Sequence, residues 1–93
     1  MLAVPFESLL DRFEVSFSGP PMIRRTRGAL SAAAITPLVD RHNNLASLRD
    51  GASKLHEFVV VVQARDAGQA VERTHTAVQA GGAYAGFSAT LAS

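Results

Sequence analysis

The feature that most constrains the fold is a short apolar segment at residues 57–64, with the sequence EFVVVVQA. Its length, its β-branched and aromatic residues and the charges on both sides are typical of a strand. Apolar side chains alternate between both faces of such a strand, with Val59 and Val61 on one of them. The segment is therefore predicted to be central in a sheet, or covered by a partner on its second face.

A helix is predicted to follow this strand. Asp66 can accept hydrogen bonds from the free N–H groups of the next turn, and Gln69 can reach back toward it, so the helix is expected to begin at Ala67. Small residues recur at helical spacing and predict one modest apolar stripe: Ala67, Ala70, Val71, Thr74 and Val78.

This helix is expected to end at a glycine pair and to lead into another strand. Gly81 and Gly82 lack the Cβ atom that disfavours a left-handed C-cap. Apolar and polar or small residues then alternate over residues 83–91, which predicts a strand. The helical connection has the length of a crossover, so the two strands are predicted to be parallel and to form a C-terminal β-α-β unit.

The N-terminal half carries weaker signals. Residues 12–18 alternate between apolar and polar side chains and predict a first strand. A turn at Pro20 and Pro21 would make residues 22–27 a second strand, antiparallel to the first, with a loop as the alternative. Residues 29–35 have high helix propensity, but the Thr36-Pro37 pair is a start signal, so a helix is predicted to begin at Pro37. Its continuation to residue 55 is either one imperfect helix or two short ones.

The order of these elements predicts a single small α+β domain over residues 1–93. We expect a three- or four-stranded sheet with two helices packed on one face. A ferredoxin-like or related arrangement is the nearest common pattern, used here as a fold analogy. A chain of 93 residues buries roughly 60 to 65% of its unfolded surface, so a homodimer that adds burial is expected.

The composition limits which cellular compartment and which kinds of chemistry are expected. No apolar segment is long enough to span a bilayer, and residues 1–10 lack the basic start of a secretory signal, so a cytoplasmic protein is expected. The absence of cysteine excludes thiolate nucleophiles and cysteine metal sites. Lys54 is the only lysine among abundant arginine and alanine, which is typical of a GC-rich coding sequence and favours a bacterial or phage origin.

Motifs for catalysis, cofactors or metals are not recognised. The three histidines, His42, His56 and His75, are not spaced with acids or with one another as ligands on one helix would be. No nucleophile elbow occurs, and the glycine pair follows a helix where a phosphate-binding loop would precede one. We therefore expect a protein that is not an enzyme and binds no cofactor or metal. An enzyme with a pocket at a dimer interface, lined by His56, His75 or Tyr84, is the less favoured alternative.

Two sets of residues are candidates for partner contacts. Val59, Val61, Tyr84 and Phe87 are predicted interface residues, with Tyr84 expected to be the most exposed aromatic side chain.

Arg24, Arg25 and Arg27 form the one concentrated charge in a chain of net charge +1. The leading hypothesis is a small regulatory or accessory protein that binds another protein, as a homodimer. The alternative is a nucleic-acid-binding regulator that uses this arginine cluster.

Overall fold

A computed structural model describes residues 10–43, 55–79 and 83–92 of the chain. Its elements, in order, are β1 (Asp11–Gly19), α1 (Arg24–Ala32), β2 (Thr36–Asn43), β3 (Leu55–Ala64), α2 (Ala67–Val78) and β4 (Ala85–Leu91). The strands form one antiparallel sheet in the order β2-β3-β1-β4. The predicted α+β class is thus confirmed, with four strands and two helices.

Each helix connects two strands that are not neighbours. β1 pairs antiparallel with both β3 and β4, so β3 and β4 run in the same direction with β1 between them. In the same way α1 connects β1 to β2, and β3 lies between those two strands. The apolar segment identified in the sequence is therefore central, as predicted.

Both helices cover the same face of the sheet. The side chains that point toward them are buried because period-two alternation places alternate residues of β1 and β3 on this face. The larger buried side chains of the core are Phe13, Val15, Phe17, Leu30, Ile35, Phe58, Val60, Val62, Val78 and Tyr84. Full burial of such a side chain stabilises the fold by about 1.5–3 kcal/mol, so this single core supplies most of the stability.

The start of α2 follows the sequence prediction. The backbone N–H of Gln69 donates to Oδ1 of Asp66 at 2.8 Å, which satisfies one free donor of the first turn. The Gln69 side chain reaches back as expected, but its Oε1 accepts from the N–H of Arg65 at 2.7 Å, one residue earlier than in a standard capping box. The predicted glycine cap at residues 81 and 82 lies outside the described residues.

The strand predicted at residues 22–27 is wrong, because residues 24–27 form the first turn of α1 and Ile23 is its N-cap. Arginine has a high helix propensity, and Thr26 and Leu30, one turn apart, are fully buried on the inner side of the helix. β1 has no need of a hairpin partner, since β3 and β4 occupy both of its edges.

The helix predicted from Pro37 is also wrong, because Thr36–Asn43 form β2. α1 ends just before it in a Schellman arrangement: Ile35 N–H donates to the Leu30 carbonyl at 2.8 Å and Ala34 N–H to the Ser31 carbonyl at 3.0 Å. Ala34 takes the left-handed conformation, with φ of 60°, that glycine usually occupies there. The chain is thereby redirected onto the free edge of β3, and the remainder of the predicted helix lies outside the described residues.

Candidate interaction surfaces

The face of the sheet opposite the helices carries a small apolar surface. Val39 of β2 is directly opposite Val59 of β3, and Val61 follows two residues later on the same side. We call these three residues the valine patch. Val39 is 43% exposed, and Val59 and Val61 are half-buried by their neighbours. In the part of the chain that the structure describes, no helix packs over them.

Short and charged side chains border the valine patch. Ser16 of β1 is opposite Val59, and Glu14 is opposite Val61. On the other side of β1, Ser88 and Thr90 of β4 continue the same rows. The open face is therefore apolar at the valine patch and polar over β1 and β4, where Glu14 adds a charge.

The other two predicted interface residues lie on the helical side of the sheet. Tyr84 is only 8% exposed, so the expectation that it is the most exposed aromatic side chain is wrong. Its ring stands edge-on to Phe17 at 5.7 Å and to Phe58 at 5.9 Å between centroids. Phe87 is half-buried and stacks on Phe17 at 5.0 Å. The four predicted residues thus divide between two faces.

Two buried hydroxyl groups lie in this aromatic region. The Thr26 Oγ1 and the Tyr84 hydroxyl both lack a hydrogen-bond partner of ordinary geometry. Burial raises the pKa of the Tyr84 phenol above 10.0; the nearby Thr26 hydroxyl partly opposes this shift, and the charge of Asp40 adds to it. The phenol is therefore held in its neutral form.

Replacing Tyr84 with phenylalanine is expected to raise the free energy of unfolding by up to about 1 kcal/mol at neutral pH, because a buried hydroxyl without a partner costs stability. Because the phenol ionises at a higher pH in the folded than in the unfolded chain, this group leaves stability independent of pH below about pH 10 and lowers it as the pH rises from there through the folded-state pKa. Tyr84→Phe should therefore also weaken the alkaline loss of stability.

Urea unfolding across the alkaline range measures both effects. Tyr84 is the only tyrosine and the chain has no tryptophan, so tyrosinate absorbance of the wild type reports this group alone. Thr26→Val is the matched variant, because it removes the other hydroxyl at nearly constant volume. A marked loss of stability in Tyr84→Phe would show that the phenol has a hydrogen-bond partner.

A histidine and an acid meet at one end of the sheet. Nδ1 of His56 lies 2.6 Å from Oδ1 of Asp40, and the imidazole stacks on Phe58 at 5.7 Å. The sequence pattern does not reveal this contact, because it predicts a helix that includes Asp40. His75 instead contacts the edge of Phe87 at 5.3 Å. Within the described ranges, no group of three or more histidine, aspartate or glutamate residues lies together as a metal site would require.

The arginine cluster occupies the first turn of α1. All three arginines are exposed there, and Nη2 of Arg27 donates to the Met22 carbonyl at 3.2 Å. The helix begins at Arg24, its N-cap residue Ile23 provides no side-chain hydrogen bond, and its first turn has no acidic residue. Free N–H groups and three guanidinium groups therefore make this helix end cationic.

An open groove of about 490 Å³ lies between the two helices. Ala29, Ala32 and Ala33 line one side, and α2 supplies Glu72 and Arg73 on the other. The Arg73 guanidinium donates to the carbonyls of Gln63 and Ala33 and so connects α2 to the end of α1. This arginine therefore has a structural role in the groove.

No protein-family model matches the chain, and neither a curated protein nor a solved structure does so. The fold and surfaces define a small α+β protein in which the described residues leave one face of the sheet open. None of its described helices is long and apolar enough to cross a membrane.

Proposed function

We propose that this chain is a small non-enzymatic interaction protein of regulatory or accessory type, which binds another protein through its open sheet face and self-associates as a homodimer. We also propose that its fold is ferredoxin-like. The elements follow the order β-α-β-β-α-β. The parallel strands β1 and β2 have β3 between them, and the parallel strands β3 and β4 have β1 between them, which supports that assignment.

The single observation that carries the proposed function is the valine patch. Val39, Val59 and Val61 are contiguous across two strands, and Val39 keeps 43% of its surface exposed. Contiguous apolar surface bordered by polar residues is typical of protein contacts, because covering it removes apolar area from water. Short neighbours such as Ser16 and Ser88 allow a partner to approach the sheet closely.

The helical side supports a non-enzymatic role. Its open groove is lined by four alanines together with Glu72, Arg73 and Thr76, and the Arg73 guanidinium donates to two backbone carbonyls. The hydroxyls of Thr26 and Tyr84 are buried in the core, where a substrate has no access. Catalysis requires convergent polar groups around an accessible cavity. The groove and the buried hydroxyls instead form a surface suited to packing.

Val59→Lys is expected to reduce partner binding at least about tenfold, because it places a charge in the centre of the contact. The measurement is affinity capture from the source cell with the immobilised protein, followed by titration of the captured partner. Ser31→Lys adds the same charge at an exposed position of α1 and should bind as the wild type does. Equal binding by Val59→Lys and the wild type would exclude the valine patch as the contact.

The cationic end of α1 favours nucleic-acid binding as the second candidate function. Arg24 and Arg25 are exposed beside free backbone N–H groups, and a dimer would present two such ends. Retention of DNA or RNA that weakens with salt, and that is lost in the double variant Arg24→Ala, Arg25→Ala, would support this function. No retention at low salt would exclude it.

A further inference from the structure

We propose that two copies of this chain pair through β4, antiparallel about a two-fold axis at Ala89, so that their sheets join into one of eight strands. The inference rests on the homodimer of the proposed function and names the surface that forms it. It follows from a difference between the two edge strands of the sheet.

The edge strand β2 carries features that oppose pairing with another strand. Pro37 has no backbone N–H, and the register with β3 shifts between Pro37 and Val39. Asp40 adds an exposed charge. Interruptions and charges of this kind prevent strand addition at a sheet edge.

The edge strand β4 lacks these protections. Its sequence, AGFSATL, contains neither a charged residue nor proline. Its one irregularity, Gly86 with φ of 74° beside a register shift, precedes the regular part of the strand. The residues from Ser88 to Leu91 then pair with β1 without interruption.

The hydrogen bonds of β1 and β4 show which backbone groups are open. Phe13 is directly opposite Leu91, and the N–H of Ala92 donates to the Arg12 carbonyl at 2.8 Å. This geometry makes Phe13 and Leu91 a non-hydrogen-bonded pair, so the N–H and C=O groups of Ala89 and Leu91 point away from β1. No described strand forms hydrogen bonds with these groups. The edge thus offers two donors and two acceptors at the spacing of a ladder.

The side chains of β4 are self-complementary in the proposed register. Ala89 faces its own counterpart, and Leu91 faces Phe87 of the second copy on the helical side. Leu91 is 65% exposed in the single chain, and this pairing would cover it with an aromatic ring. On the open side Ser88 faces Thr90 of the second copy. No like charges oppose each other along the joined strands.

Pairing at β4 leaves the valine patches free. Both patches then lie on one continuous open face of the joined sheet, where a partner protein can contact them. The proposed self-association and the proposed partner binding therefore use different surfaces and can be separated by mutation.

Ala89→Pro tests the pairing selectively. It removes an N–H that points away from β1, so the bonds between β1 and β4 remain. In sedimentation equilibrium the variant is expected to dimerise at least tenfold more weakly than the wild type, with unchanged circular dichroism. Leu91→Lys, which keeps the backbone intact, should weaken dimerisation as well.

Disulfide cross-linking tests the proposed register between the two β4 strands. The chain has no cysteine, so Ala89→Cys introduces a single thiol, which should form a disulfide-linked dimer under mild oxidation. Val59→Cys on the open face and Thr36→Cys on β2 should not. A dimer that cross-links through Val59→Cys and is unaffected by Ala89→Pro would overturn this inference while preserving the homodimer. A monomeric wild type at all concentrations would overturn both.

Discussion

Gly19→Ala is expected to lower the free energy of unfolding by about 3 kcal/mol, because the added methyl group has no space. A Cβ atom at this position would lie 2.3 Å from Cδ1 of Tyr84 and 2.8 Å from the carbonyl oxygen of Ala83. The Tyr84 ring is confined by its edge-on contacts with Phe17 and Phe58, so it cannot move aside without opening the core.

Gly28→Ala is the matched control for this substitution. A Cβ atom at Gly28 meets nothing within 4 Å, and the residue lies inside α1. Alanine is there expected to raise stability by up to about 1 kcal/mol, since glycine is a poor helix former. Urea unfolding at one protein concentration measures both variants. Equal midpoints for Gly19→Ala and the wild type would contradict the close contact with Tyr84.

Phe17→Ala is expected to cost about 3–5 kcal/mol, the range for deleting a large buried aromatic side chain. Phe17 is 3% exposed and contacts three rings, Phe58 at 5.3 Å, Tyr84 at 5.7 Å and Phe87 at 5.0 Å. Domains are commonly stable by about 5–15 kcal/mol, so the loss is a large part of the total.

The control for this variant is Phe17→Leu, which keeps most of the volume and should cost less than about 1.5 kcal/mol. Circular dichroism during urea unfolding distinguishes the two. Because Tyr84 is the only tyrosine, its fluorescence reports the loss of the aromatic cluster independently. Equal stability of the two variants would mean that Phe17 is not central to the core.

Elements with consistent local signals were predictable. β1, β3 and β4 show period-two alternation or a β-branched run, and Asp66 begins α2 with a side-chain cap. In each case propensity, patterning and capping favour the same state. Long-range pairing then selects the same structure as the local preferences.

The errors fall where local signals conflict with tertiary contacts. α1 ends at Ala32, and Ala34 just beyond it takes a left-handed conformation, with no glycine to mark the end in the sequence. The Thr36-Pro37 pair resembles a helix start, yet Pro37 is tolerated in β2 because it lies in an edge strand. β2 is a strand because β3 offers it an unpaired edge, and such pairing is invisible in local patterning.

Some residues of the candidate surfaces are likewise predictable from local patterns, and others are not. Val59 and Val61 could be identified because alternation within one strand places them opposite the buried side chains of that strand. The burial of Tyr84 could not be predicted, because it depends on the close approach of Gly19, 65 residues earlier in the chain. The contact between Asp40 and His56 likewise requires the register of β2 against β3.

The amino-acid sequence by itself therefore determined the α+β class, three of the strands, the capped helix α2 and the two-sided apolar character of β3. Tertiary structure decided which face of β3 is covered, which residues form the fourth strand, and that β4 is an edge strand of the described sheet. The physical reason is range: alternation and capping act between residues a few positions apart, whereas strand order and burial depend on contacts between distant segments.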